Sequence, residues 1–156
     1  MDRILKEVFM SNKTLDRIKD WRNFRKSIEN SSENKQIKEN VLYWSKMPTV
    51  NFVLNYNEFN KWPTPWDIVS EGYYDSIAIA YLMMETLILL GWDKKRFSLN
   101  YIKPDESSDF IMVLIIDDKN VLNYSYNEVY NIKNYTYDRC IEKLQYNDDG
   151  SLEKIK

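Results

Sequence analysis

Residues 77–90 read IAIAYLMMETLILL, and this run limits the fold more than any other part of the chain. Ile77, Ala80, Tyr81, Met84, Leu87 and Ile88 recur at helical spacing, and Gly91 continues it. Ala78, Ile79, Leu82, Met83, Leu89 and Leu90 fill the other faces. A helix that is apolar nearly all round has to be covered on every side. The rest of the chain must therefore wrap it. Asp75 and Ser76 suit the N-cap. Gly91 stands where a left-handed residue would stop the helix. The run carries Glu85 and Thr86 and falls short of a bilayer span.

The covering layers can be read on either side. Residues 1 to about 30 read as helical. Ile4, Leu5, Val8 and Phe9 form one apolar stripe, and Leu15, Ile18, Trp21 and Phe24 a second. SNKTLD between them offers Ser11 or Thr14 as a cap. Such helices could dock a partner, but amphipathic helices mostly pack on their own core. The polar stretch ENSSENKQIKEN, residues 29–40, reads as a loop that opens a helix ending near Trp44. Pro48, Pro63 and Pro65 punctuate residues 47–66 and disfavour regular helix there. A short helix or irregular segment is expected at 50–55, and one helical turn at 67–71.

Beyond Trp92 the period changes. RFSLNYI alternates Phe97, Leu99 and Tyr101, and DFIMVLIIDD has the near-continuous apolarity of a central strand. DDKN makes a turn, VLNYSY the next strand, and residues 134–155 a further pairing closed at NDDG. Helices first, one buried helix in the middle and an antiparallel sheet last define an α+β fold. One domain is expected over 1–156, with 1–40 as a helical segment and 41–156 as the core.

Composition narrows the chemistry. The chain has no histidine, so it can form no Cys–His or Ser–His pair and no histidine metal site. The commonest general base near neutral pH is missing. Cys140 is the single cysteine, which excludes an intrachain disulfide and suits a reducing compartment or a virion. A net charge of −2 with mixed signs gives no basic face for nucleic acid. The start MDRILKEVFM lacks the pattern of a secretory signal.

Three motifs carry a resemblance. VNFVLNYNEF, then WPTPWDIVSEG, then YDS opening a helix that ends in LLG, resembles the bacterial transglutaminase-like cysteine proteinases across residues 44–124. The resemblance implies a papain-like, transglutaminase-like fold. Val50, Asn51 and Asn55 match the asparagine motif, and Trp62, Thr64 and Pro65 the loop. Gly72, Asp75 and Gly91 match the residues framing the nucleophile helix. Met112, Val113 and Leu114 match the histidine strand, and Leu122 the residue before the aspartate.

The reactive positions depart from that pattern. The cysteine position holds Ser76, although sliding the match along the helix would bring Tyr74 there. The histidine position holds Ile111, or Phe110 if the strand shifts by one. The aspartate position holds Asn123. A helix N-terminus and an imidazolium together activate a thiol, whereas a serine hydroxyl needs a positioned base. Losing one triad member costs orders of magnitude in rate. Ser76 therefore reads as a helix cap, and no catalytic residue is assigned. Some members of the family hold calcium through acids beside the cysteine. Asp75 remains, but Ile77 and Ala78 follow it, and a hard cation needs several oxygen ligands. No cofactor is expected. Asp117–Asp118 and Asp148–Asp149 could ligate a metal but suit hairpin turns better.

Tyr124, Tyr126, Tyr130, Tyr135, Tyr137 and Tyr146 invite either a binding face or half-buried strands. Cys140 reads as a small buried hydrophobe. The resulting expectation is a pseudoenzyme serving as a structural or protein-binding module. The Asn-, Lys-, Ile- and Tyr-rich composition suits an AT-rich phage genome, with a virion component of tail, baseplate or head–tail region in view. Its partners would be virion proteins or a second copy, with no nucleic acid and no membrane, in the virion or host cytoplasm. Two alternatives stand beside it: a Ser76-dependent hydrolase or acyltransferase with Asp75 or a tyrosine as base, and a host-protein binder that kept the peptide cleft.

Overall fold

The computed structural model describes residues 3–156, with side chains from Lys13 onward. The stripe of Ile4, Leu5, Val8 and Phe9 and the side chain of Ser11 lie outside the described residues. Helix α1 runs unbroken over Arg3–Ile28. No cap forms within SNKTLD, because the segment has neither proline nor glycine to interrupt helical backbone. Thr14 lies mid-helix, and its hydroxyl donates to the Ser70 carbonyl at 3.4 Å.

Helix α2 spans Glu33–Ser45, and Ser32 caps it by accepting from the Lys35 N–H at 3.2 Å. Most of the polar stretch 29–40 is therefore helix, with only its first residues in a turn. Gln36 and Asn40 face inward. Gln36 Nε2 donates to Ile28 O at 2.9 Å, and Asn40 Nδ2 donates to Met83 O at 2.9 Å. Residues 50–55 are irregular as expected, and a short 3₁₀ turn follows at Tyr56–Lys61.

Helix α3, Pro65–Glu71, starts with Thr64 as cap and Pro65 at its first position, where the missing N–H costs nothing. Gly72 ends it at φ 74°, and a Cβ there would stand 2.8 Å from Arg17 Nε. Arg17 needs that space to donate to the carbonyls of Val69, at 3.0 Å, and Ser70.

Helix α4 spans Ser76–Leu89 and is buried almost throughout. Gly91 stops it at φ 104°. Its N–H reaches Ile88 O at 2.9 Å, and the Trp92 N–H reaches Leu87 O at 3.1 Å. This double closure pairs the Leu87 and Ile88 carbonyls in the last turn. Thr86 sits at the heart of the helical layer. Its hydroxyl donates to Leu82 O and accepts from the indoles of Trp21 at 3.1 Å and Trp44 at 3.2 Å. One side chain thus joins α1, α2 and α4.

The sheet contains β1 (Phe97–Lys103), β2 (Ile111–Ile116), β3 (Asn120–Leu122), β4 (Val129–Asn131), β5 (Arg139–Tyr146) and β6 (Leu152–Lys154). The order is β4-β3-β2-β1-β5-β6, and every pairing is antiparallel. Asp117 and Asp118, both at positive φ, form the tight turn from β2 to β3. The strand expected at 121–126 stops at Leu122, because Asn123 turns left-handed at φ 67°. β4 was not expected; three residues are too few for alternation to show. The closing hairpin turns at Asn147, whose side chain accepts from the N–H groups of Asp149 at 2.9 Å and Ser151 at 3.1 Å.

Both sheet faces are covered. Phe97, Leu99, Met112, Leu114, Ile116, Leu122 and Leu144 meet the helices. On the other face Ile102, Val113, Ile115 and Val121 lie under Tyr124, Tyr130, Tyr135 and Tyr137. That double burial explains the unbroken apolar run of β2.

Candidate functional site

The first turn of α4 meets the middle of the sheet at a cavity of about 310 Å³. Ser76, Ile111 and Asn123 all line it, so positions far apart in the chain converge. Val41, Trp44, Met47, Ile79 and Met83 supply an apolar wall, and among the described residues no Asp, Glu, Lys or Arg side chain lines it. A second cavity of about 280 Å³ lies on the other side of Ser76, lined by Phe52, Tyr56, Tyr101 and Phe110. Phe110 thus also borders Ser76, but in the second cavity, apart from Asn123. Tyr74 is elsewhere. It precedes the helix, its backbone carbonyl takes the Val50 N–H at 2.8 Å, and its ring packs edge-on to Trp44.

The cap of α4 is Asp75, which corrects the expectation for Ser76. Asp75 Oδ1 accepts from Ala78 N–H at 2.8 Å. Its Oδ2 accepts from the N–H groups of Val53 at 2.7 Å and Leu54 at 2.9 Å. The carboxylate therefore pins the irregular segment 50–55 to the helix start. An aspartate suits this position because its two oxygens can meet three converging N–H groups.

Ser76 occupies the first helical position, and its hydroxyl accepts from Met112 N–H of β2 at 3.2 Å. Asn123 completes the arrangement. Its Nδ2 donates to Ser76 O at 3.0 Å and to Met112 O at 2.9 Å. Both amide protons are spent on carbonyls of two different elements. Asparagine also tolerates the left-handed backbone at this point better than most residues. The three residues form a clamp between helix and sheet.

Asp75, Tyr56, Tyr101, Tyr124 and Tyr126 are the titratable side chains that line the two cavities with Ser76. Ile111 is aliphatic. Both Asp75 oxygens are held by backbone donors. Burial, aided by Tyr56 and Asp75, pushes the Tyr101 phenol above its usual range, so phenolate is scarce at neutral pH. The calcium site implied by the resemblance does not fit either. The residues after Ser76 are Ile77 and Ala78, which offer no side-chain oxygen, and both Asp75 oxygens already accept from backbone N–H groups. Among the described residues, no group of three or more His, Cys, Asp or Glu could hold a metal. Asp117 pairs with Arg96 at 2.7 Å, and Asp148 pairs with Lys95.

Four of the six tyrosines pack among themselves on the outer sheet face. Tyr146 instead donates to Glu85, and Tyr126 is 72% exposed. Cys140 is half-buried in the outer cluster, where burial pushes its thiol up. Sequence reasoning places Met112 on the strand that matches the histidine motif but misses its role, which is carried by a backbone N–H and carbonyl that no side-chain pattern reveals. It also missed the Thr86 hub, although a threonine inside an apolar helix beside a tryptophan-rich chain was a usable signal.

Helices packed on a six-stranded antiparallel sheet, with a buried helix whose N-terminus abuts the second strand, make this a transglutaminase-like fold. No family model matches the sequence, and no curated protein does. Solved structures of Legionella pneumophila LapG, a transglutaminase-like cysteine protease, do match. The calcium-bound form superimposes with a TM-score of 0.72 at 14% identity, covering 94% of this chain and 83% of LapG. Another LapG structure gives 0.70 at 15% identity, covering 89% and 78%. The EGTA-treated form gives 0.70 at 12% identity, covering 90% and 82%. At these identities the likeness establishes the fold.

Proposed function

We propose that this chain is a catalytically silent transglutaminase-like protein that works by binding other proteins. The clamp carries this reading: Ser76, Met112 and Asn123 are held to one another by hydrogen bonds, and the position facing them is Ile111. A serine whose oxygen is engaged by a backbone N–H, with no side-chain hydrogen bond to a base, is not set up to attack a carbonyl. The retained scaffold then serves through its surface. A tailed-phage particle is the setting proposed, on the Asn-, Lys-, Ile- and Tyr-rich composition.

Two experiments test this reading. A fluorophosphonate probe applied to the purified protein is expected to leave Ser76 unmodified. Labelling that disappears in Ser76→Ala would make the chain a serine hydrolase. A mass-spectrometric inventory of purified virions is expected to contain the chain at stoichiometric levels. Its absence from particles, with capture of a host protein instead, would favour the second reading of a host-directed binder. That alternative draws support from the two cavities flanking Ser76 and from the exposed rings of Phe52 and Tyr126 at their edges.

A further inference from the structure

The helical layer encloses several polar side chains, and nearly all of them are paired. Gln36 Nε2 donates to Ile28 O, and its Oε1 accepts from the Trp92 indole at 2.7 Å. Thr86 donates once and accepts twice. Among the described residues, two buried side-chain atoms have no protein partner: Asn40 Oδ1 and Arg25 Nη1. Buried polar atoms of folded proteins pair with protein or with ordered water, because leaving one unmade costs its full desolvation.

One orphan is an acceptor and the other a donor. The antiparallel pairing of α1 with α2 brings their positions to one level. Ile28 O meets Gln36 Nε2, the Phe24 ring stacks on Tyr43 at 4.1 Å, and the Trp21 ring meets Trp44 at 6.1 Å. These contacts set position 25 across from position 40. Asn40 is fully buried, one turn before Trp44. Arg25 lies one turn beyond Trp21 and holds its guanidinium 4.2 Å over that ring. The two side chains do not bond to each other.

Asn40 cannot resolve this by turning its amide over. Its Nδ2 is committed to Met83 O at 2.9 Å, so the opposite side stays an acceptor. An inorganic anion would suit the guanidinium but not Asn40 Oδ1. A cation would suit Oδ1 but not the guanidinium. A water molecule donates and accepts, and so serves both.

We propose that one internal water is bound between α1 and α2, donating to Asn40 Oδ1 and accepting from Arg25 Nη1. It completes the polar pairing of the helical layer and ties Arg25 of α1, through Asn40, to Met83 of α4. The site shares no residue with the two cavities beside Ser76 except Met83, and it is independent of whether Ser76 is silent.

A crystal structure of the full chain that resolves ordered solvent tests this, together with water–amide cross-relaxation spectra of the ¹⁵N-labelled chain. One water within hydrogen-bond distance of both atoms is expected, with a long-lived water signal at the Asn40 side-chain amide protons. Arg25→Met keeps an aliphatic stem over Trp21 and removes the donor. That variant should lose the water signal at Asn40 while its tryptophan fluorescence stays that of the folded chain. The wild-type measurements stand alone if the variant does not fold. The proposal is overturned if the guanidinium donates directly to Asn40 Oδ1, or if no ordered water reaches both atoms. It is equally overturned if folded Arg25→Met keeps the Asn40 water signal unchanged.

Discussion

Asn123 shows how one side chain can decide the character of a site. Its two donated bonds tie Ser76 O of α4 to Met112 O of β2. Asn123→Ala should cost about 2–3 kcal/mol in urea unfolding, from two lost bonds and a strained left-handed alanine. Asn123→Gly should recover the backbone part of that loss and leave the remainder. Equal losses in the two variants would mean that the bonds contribute nothing. Thr86 makes a similar case inside the helical layer. Thr86→Val keeps the shape but leaves two buried indole N–H groups unpaired, so a loss of about 2–4 kcal/mol is expected. Tryptophan fluorescence should report the same transition as circular dichroism. The choice of Asp75 over Ser76 as cap was not legible in the sequence. Both are good caps locally, and the decision rests on N–H groups from residues 53, 54 and 112, all distant in the chain.

Among the elements, those with strong periodicity were legible. The α4 run, its glycine stop and the β1 and β2 patterns follow from spacing alone. The continuity of α1 was not, because a polar segment without proline or glycine carries no mark that distinguishes a cap from a helix surface. β4 was hidden by its length. Between elements, Arg96 joins the start of α2 to the β2–β3 turn. It holds Asp117 at 2.7 Å and Glu33 at 2.6 Å, and its guanidinium stacks over Trp92. Hydrogen bonds from Arg96 hold both carboxyls below their usual range. Carboxyls depressed in the folded state stabilise above their unfolded pKa, and that contribution is lost as pH falls through the folded values. Arg96→Ala should therefore flatten the acid side of the stability profile. Glu85 works in the opposite sense, since burial raises its carboxyl and Tyr146 only partly offsets this. Its contribution to stability falls as pH rises from the unfolded pKa to the raised folded one. Glu85→Gln should remove that slope, and urea midpoints measured from pH 4 to pH 8 would show it.

For the molecule as a whole, the sequence allowed the α+β class and the transglutaminase-like scaffold to be read from motif order, and the LapG structures agree on the fold. The meaning of the site was less legible. Three positions depart from the reactive pattern of the resemblance, and the assembled structure joins two of them, Ser76 and Asn123, to Met112 in a hydrogen-bonded clamp. On the reading proposed above, Ser76 holds helix to sheet and does no chemistry. Its most direct test is the hydrolysis of an activated ester, p-nitrophenyl acetate, by the wild-type chain beside Ser76→Ala. Equal rates for the two proteins, both at the level of non-specific surface reactivity, are predicted. A wild-type rate ten or more times that of the variant, accompanied by an acyl adduct on Ser76, would make Ser76 a nucleophile.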